Sequence, residues 1–193
     1  MKLQQLTLAS TLTQPPGTKL FRVQRSRTRG GCVAFGRHLR VAPAGLMFGR
    51  FDLHSQPVGY FSAETETAVY ETMVRRSAEA VPLSELQTRS LVELRMTAPL
   101  KLLDLRQLAH EWPFVQSPHY EHTTELAEDA SREGFDGVVY LSAQQHAAAC
   151  FAIFGPALPT LRSVKKEPLV NEGGALHIAV ARAIKGAQAK LVP

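Results

Sequence analysis

Residues 58 to 72, VGYFSAETETAVYET, change periodicity in a single step, and that step limits the fold more than any other feature of the chain. VGYFSA (58–63) has the aromatic and β-branched content of a strand. In the following ETETAVYETMVRR, Glu64 and Glu66 lie where a helix amino terminus favours acid, with Ser62 or Thr65 as the cap. On that helix Ala68, Thr72 and Arg75 share a stripe, Val69, Met73 and Arg76 lie beside it, and Glu71 sits near the border. A strand delivered straight into a helix asks for a domain in which sheet and helix share one core.

The rest of the chain supplies the partners. KLFRV (19–23) reads as a strand entered from the Pro15-Pro16-Gly17 turn, with residues 1–18 as an arm before it. Residues 26–48 read as a long irregular loop and the first place to expect ligand contacts. SLVELRMT (90–97) and LKLLDLR (100–106) are strands split by Ala98-Pro99, forming either an antiparallel pair or one kinked edge. TTELAEDASREG (123–134) is a helix with a glycine stop, and FDGVVYLSA (135–143) is a buried strand. AAACFAIFG (147–155) fits a strand or a buried helix, and ALHIAVARAIKGAQAKL (175–191) an amphipathic terminal helix. The expected fold is α+β: a single domain over 19–193 with a mixed, mainly antiparallel sheet core flanked by helices.

A chain of 193 residues, 45% hydrophobic and 20% charged, can bury one full core, which excludes a disordered chain or a disulfide-stapled miniature fold. Cys32 and Cys150 have neither zinc-ligand spacing nor a disulfide framework, and read as free thiols in a reducing cytoplasm. The histidines, including His119, His122 and His146, lack ligand spacing, so no metal is expected. The amino terminus is too interrupted by polar residues for a secretory signal. No apolar run approaches the roughly eighteen residues that span a bilayer. A cytoplasmic protein without membrane contact is the expectation.

The net charge of +5 is concentrated in RVQRSRTRGGCVAFGRHLR (22–40), which suits nucleic acid, a phosphate-bearing small molecule, or a solvated loop. Only Phe35 and Phe48 lie near it to stack on bases, which disfavours direct nucleic-acid binding. Arg22 and Arg50 are diphosphate-binding candidates because the guanidinium fork keeps its charge, although a surface salt bridge accounts for either as well. Gly49 would let backbone approach a ligand. Tyr60 could stack on a base or nicotinamide ring, or simply fill core. Glu71, flanked by apolar residues, either needs a partner or a task, or is an exposed glutamate paired with Arg75. Ser142 ends a strand, where a hydroxyl can meet phosphate, but no GxSxG elbow surrounds it.

LFRV (20–23), GRF (49–51), GYFSAETETAVYET (59–72) and GFDGVVYLSA (134–143) together, in that order, resemble the RES-domain family, named for its arginine, glutamate and serine. The resemblance runs from about residue 19 to about residue 155. It implies a fold similar to ADP-ribosyltransferase toxins and an NAD-degrading toxin that breaks the nicotinamide–ribose bond by phosphorolysis or hydrolysis. It also implies an antitoxin partner that carries a helix-turn-helix DNA-binding region and blocks the cleft. NAD is then substrate rather than cofactor, with inorganic phosphate as co-substrate if the cleavage is phosphorolytic. By the same resemblance Glu71, Arg50 and Ser142 are catalytic, while Arg22, Arg50, Tyr60 and Ser142 hold NAD. Gln144 stands where many relatives have arginine, which removes a charge and opens the way to hydrolysis. The other functions in view are ADP-ribosyl transfer to a macromolecule and a basic nucleic-acid-binding module.

Overall fold

The structure, a computed structural model, describes residues 10–27, 30–74, 79–109, 112, 115 and 120–193. In chain order it forms β1 (Ser10–Gln14), β2 (Lys19–Arg25), β3 (Val33–Phe35), β4 (Leu39–Val41), β5 (Val58–Ser62), α1 (Thr65–Thr72), β6 (Ala80–Pro82) and α2 (Leu83–Gln87). It continues through β7 (Arg89–Met96), β8 (Leu100–Asp104), α3 (Glu121–Arg132), β9 (Gly137–Leu141), β10 (Ala149–Phe154), β11 (Leu161–Pro168), α4 (Ile178–Ala187) and β12 (Lys190–Val192).

The main sheet runs β1-β8-β9-β10-β5-β2-β7-β11, and only its β8–β9 step is parallel, bridged by α3 as a βαβ unit. Its shape follows from one bent ribbon. β1 pairs with β8 and β2 with β7, so Gln14 faces Leu100 on one side of a corner and Lys19 faces Arg95 on the other. The Pro15-Pro16-Gly17 turn and residues 97–99 make that corner, closed by Gly17 N–H to the Met96 carbonyl at 2.8 Å. Because both strands bend together, the sheet curls and brings its two halves face to face. The α+β expectation therefore holds, with the details corrected. Residues 90–97 and 100–106 do not pair with each other and neither is an edge; they are two limbs of one kinked strand. Ser10–Gln14, read as arm, is an edge strand of the sheet.

Further differences are local. Residues 26–48 are not wholly irregular: β3 and β4 form a short hairpin there. The 147–155 run is strand, because β10 lies between β5 and β9 with both faces covered, where a continuous apolar run belongs. The terminal helix is shorter than expected, and Gln188 (φ 53°) ends it before β12 pairs in parallel with β6. α1 begins at Glu64 without a side-chain cap. Ser62 is buried in β5, while Thr65 donates to Glu66. Gly134 (φ 76°) does stop α3, as a left-handed position requires.

Two apolar clusters lie on opposite faces of β10. Cys150, Ala152 and Phe154 pack with Leu126, Ala127 and Ala130 of α3, and Phe151 and Ile153 with Leu20, Leu94 and Leu102. A third cluster joins Ala68 and Val69 of α1 to Ala179, Val180 and Ala183 of α4 over Val23 and Leu91. Each large side chain so enclosed contributes roughly 1.5–3 kcal/mol. The sheet has one weak seam. β2 and β5 are in register only at Phe21–Ser62, and beyond that pair the strands separate.

Candidate active site

The seam opens into a cleft of about 550 Å³, walled by β2, by β5, by α1 and by the loop before Phe51. Arg22, Arg25, Arg27, Arg40, Arg50 and Arg89 line it, and Glu71 is the one carboxylate among its lining residues. In a low-dielectric groove this imbalance is a strong field for an anion. The basic 22–40 segment thus contributes to a pocket wall as well as to the surface.

Glu71 projects from α1 toward the loop after β9. There the Ser142 hydroxyl donates a short hydrogen bond to Glu71 Oε1 and accepts from the backbone N–H groups of Gln144 (3.0 Å) and Gln145 (2.9 Å). The loop is itself held by Thr67, one turn before Glu71, whose hydroxyl donates to Gln145 Oε1 at 2.7 Å. With its lone pairs facing two amides, the Ser142 proton has one direction left to go, toward the carboxylate. Ser142 is 3% exposed and lies behind Glu71, away from the cleft wall. The geometry makes Ser142 an orienting group for Glu71, with no free face for a phosphate.

Arg22 spans the open seam, donating from Nη1 to the Tyr60 carbonyl at 2.8 Å. Burial lowers its pKa, with the nearby Tyr60 acting in the opposite sense. Arg50 donates from Nη1 to the Val115 carbonyl at 3.2 Å, and its guanidinium carbon lies 5.5 Å from the centre of the Tyr140 ring. Among the described residues neither arginine has a carboxylate partner, and the Nε of each is buried without an acceptor. An unpaired buried donor is costly, so the surface-salt-bridge reading fails for both.

Tyr60 lines the cleft, but its hydroxyl is already engaged. It donates to Asp52 Oδ1 at 2.8 Å and accepts from Phe51 N–H at 2.9 Å, while Asp52 Oδ2 accepts from Gly49 N–H at 2.6 Å. Burial first, then the Asp52 charge, pushes the Tyr60 pKa well above the ordinary phenol value, so the donor proton stays in place. Gly49 has a different purpose from the one its sequence suggested. A Cβ there would stand 2.3 Å from the Tyr60 hydroxyl, so it is Tyr60, not a ligand, that requires glycine. Tyr60, Asp52 and Gly49 form a clamp that aims Arg50.

Arg22, Arg50, Tyr60 and Glu71 thus meet in one cleft, with Ser142 supporting Glu71 from behind. Arg75, Arg76 and His119 lie outside the described residues, and His122 and His146 are exposed. Among the described residues no group of three or more His, Cys, Asp or Glu could hold a metal ion, and no helix is long and apolar enough to cross a membrane. Cys32 and Cys150 are free, the first exposed and the second buried. Burial and the Glu71 charge push the Cys150 thiol up to about 12.

A family model described as the RES domain matches residues 19–176. The chain belongs to the RES-domain family. Comparison with curated proteins gives no match. Among solved structures, a chain of the M. tuberculosis MbcT–MbcA toxin–antitoxin complex superposes with a TM-score of 0.57 at 15% identity, over 80% of this chain and 85% of that one. At that identity the likeness is one of fold. Sequence reasoning had missed three parts of this RES-domain site: Asp52, Thr67 with Gln145, and Arg89. The Asp three residues after Gly49 was a readable turn signal; the others depend on register and loop packing.

Proposed function

We propose that this RES-domain protein is an NAD-degrading toxin that cleaves the bond between nicotinamide and ribose. The observation that carries the reading is the carboxylate of Glu71, fixed by Ser142, facing Arg22 and Arg50, neither of which has a carboxylate partner among the described residues. Arg22 and Arg50 hold the pyrophosphate, which places the nicotinamide ribose at Glu71. As the C–N bond breaks, its electron pair leaves with nicotinamide, which departs neutral and needs no proton. Positive charge then grows on the ribose carbon and ring oxygen, beside the Glu71 carboxylate. An oxygen of water or of phosphate closes the new bond to that carbon; water sheds a proton to Glu71 or solvent, and phosphate dianion sheds none.

The toxin–antitoxin assembly of the structural neighbour supports a protein partner here as well. The cleft mouth carries Phe48, 77% exposed, and Tyr120 beside the arginines, a surface suited to an acidic, partly apolar antitoxin segment. By family resemblance that antitoxin would carry a helix-turn-helix region, and the pair would act in the cytoplasm.

Incubation of purified protein with NAD, with and without phosphate, tests the reading by nicotinamide release. Release should fall by about 10²–10³ in Glu71→Gln, the loss expected of a missing transition-state charge partner. Dependence on phosphate would identify phosphorolysis, and release in its absence hydrolysis. Full activity in Glu71→Gln would remove Glu71 from catalysis. Folded protein releasing nothing in either buffer would overturn the proposal.

A further inference from the structure

β2 carries arginines beyond the pyrophosphate site. Glu71 and Ser142 lie at the level where β2 and β5 still pair, at Phe21 and Ser62. From there the strand passes Arg22 and reaches Arg25, about 10 Å farther along the same cleft. The Cα partner of Arg25 across the β2–β7 ladder is Arg89. Like charges facing each other on neighbouring strands destabilise a sheet, so the pair asks for a reason. Arg27 and Arg40 line the cleft with them.

Arg89 is also incompletely satisfied. Arg89 reaches Glu85 at 3.3 Å, yet its Nε is buried with no acceptor among the described residues. The positive field extends behind the cluster: partial burial, then the charges of Arg37, Lys166 and Arg40, hold the His38 pKa below its ordinary value. Charge arithmetic separates two ligands. NAD presents a pyrophosphate, which Arg22 and Arg50 match. Arg25, Arg27 and Arg89 then face nothing on NAD, whereas a third phosphate, a dianion on the adenosine ribose, would meet them, with the charge of Arg40, whose guanidinium is held by the Gly36, Arg37 and Leu39 carbonyls, alongside.

On the reading of the cleft as a nicotinamide dinucleotide site, we infer that Arg25 and Arg89, flanked by Arg27 and Arg40, form a subsite for a phosphate monoester at the adenosine end of the ligand. NADP, with its 2′-phosphate, is then the preferred substrate. The nicotinamide ribose is fixed at Glu71, and β2 leads away from it, so the adenosine ribose comes to rest at the Arg25–Arg89 end.

The test titrates NAD and NADP separately into Glu71→Gln protein and compares kcat/KM for nicotinamide release from each by the parent. NADP should bind more tightly by about tenfold or more, the contribution of a charge-assisted phosphate contact. Arg25→Gln and Arg89→Gln should each weaken NADP more than NAD and so narrow the gap. Both variants should keep or exceed the parent's thermal midpoint, since each relieves the facing like-charged pair. Equal affinities, or a preference for NAD, would overturn the subsite while leaving the NAD reading intact. Neither dinucleotide binding to Glu71→Gln, together with no release by the parent, would remove the NAD reading and the subsite with it. A third result would also overturn it: unchanged NADP preference in both variants, with a raised requirement for inorganic phosphate, would assign the cluster to the co-substrate.

Discussion

β10 and β2 both run through the middle of the sheet, yet they carry opposite kinds of residue. On β10, Cys150 through Phe154 are buried on both faces, and full ladders join the strand to β9 and β5. On β2, Arg22 and Arg25 interrupt the apolar run, and the ladder to β5 is down to one pair. One strand concentrates stability, and the other gives some of it up. The arginines at the seam have backbone carbonyls or buried space for company where a stable protein would supply carboxylates. What the seam lacks is what an anionic ligand brings.

The comparison breaks most visibly in the packed half. Phe154→Ala should cost about 3–5 kcal/mol in a urea titration, the range for deleting a buried aromatic. Activity should follow the folded fraction and nothing else. At the seam the signs reverse: Arg22→Met should lower dinucleotide affinity by roughly 2–3 kcal/mol, while the thermal midpoint stays close to the parent's. The lost bond to the Tyr60 carbonyl is offset by removing a desolvated charge. A large drop in midpoint would mean that Arg22 mainly holds the sheet together.

Ser142→Ala sharpens the contrast within the site. Removing a hydrogen bond to a carboxylate costs roughly 1.5–3 kcal/mol, so kcat should fall about 10- to 100-fold with KM little changed, because Glu71 loses its orientation but the arginines remain. A rise in KM alone would place Ser142 against substrate. The smallest effect is alkaline. Cys150 in the unfolded chain ionises near 9.0, whereas the folded protein keeps its proton to about 12. Unfolding therefore releases a proton between those values, and stability should decline as pH rises through that window, with partly buried Tyr60 and buried Tyr140 acting in the same direction. Comparing urea midpoints at about pH 8 and about pH 10, in parent and Cys150→Ala, checks the sign. Iodoacetamide should label exposed Cys32 and spare Cys150.

Elements with a strong local signal were legible in the sequence. The 58–72 strand–helix step, the strand at 19–23 and the glycine-stopped helix before Gly134 announce themselves through periodicity and turn residues. β1, the β3–β4 hairpin and β12 were not: β1, β3 and β12 have no fully buried side chain and β4 is three residues long, so these strands owe their existence to a neighbour's ladder rather than to their own pattern. The site divides in the same way. Arg22, Arg50, Tyr60 and Glu71 could be named from residue type and family resemblance, but not what each touches. That Gly49 yields to Tyr60, that Ser142 stands behind Glu71, and that Arg25 faces Arg89 are facts of register and distance.

The bent ribbon also sets the order in which the cleft can be assembled. β2, which supplies Arg22 and Arg25, has no long ladder until β7 arrives some seventy residues later, roughly the interval from residue 19 to residue 89. Helix α1, which bears Glu71, packs against α4, and Glu66 pairs with Arg182 at 3.0 Å. A ribosome must therefore deliver nearly the whole chain before the carboxylate and the arginines have their supports. For most of its synthesis the nascent polypeptide has no assembled cleft, and the carboxylate gains its support only when the last helix emerges.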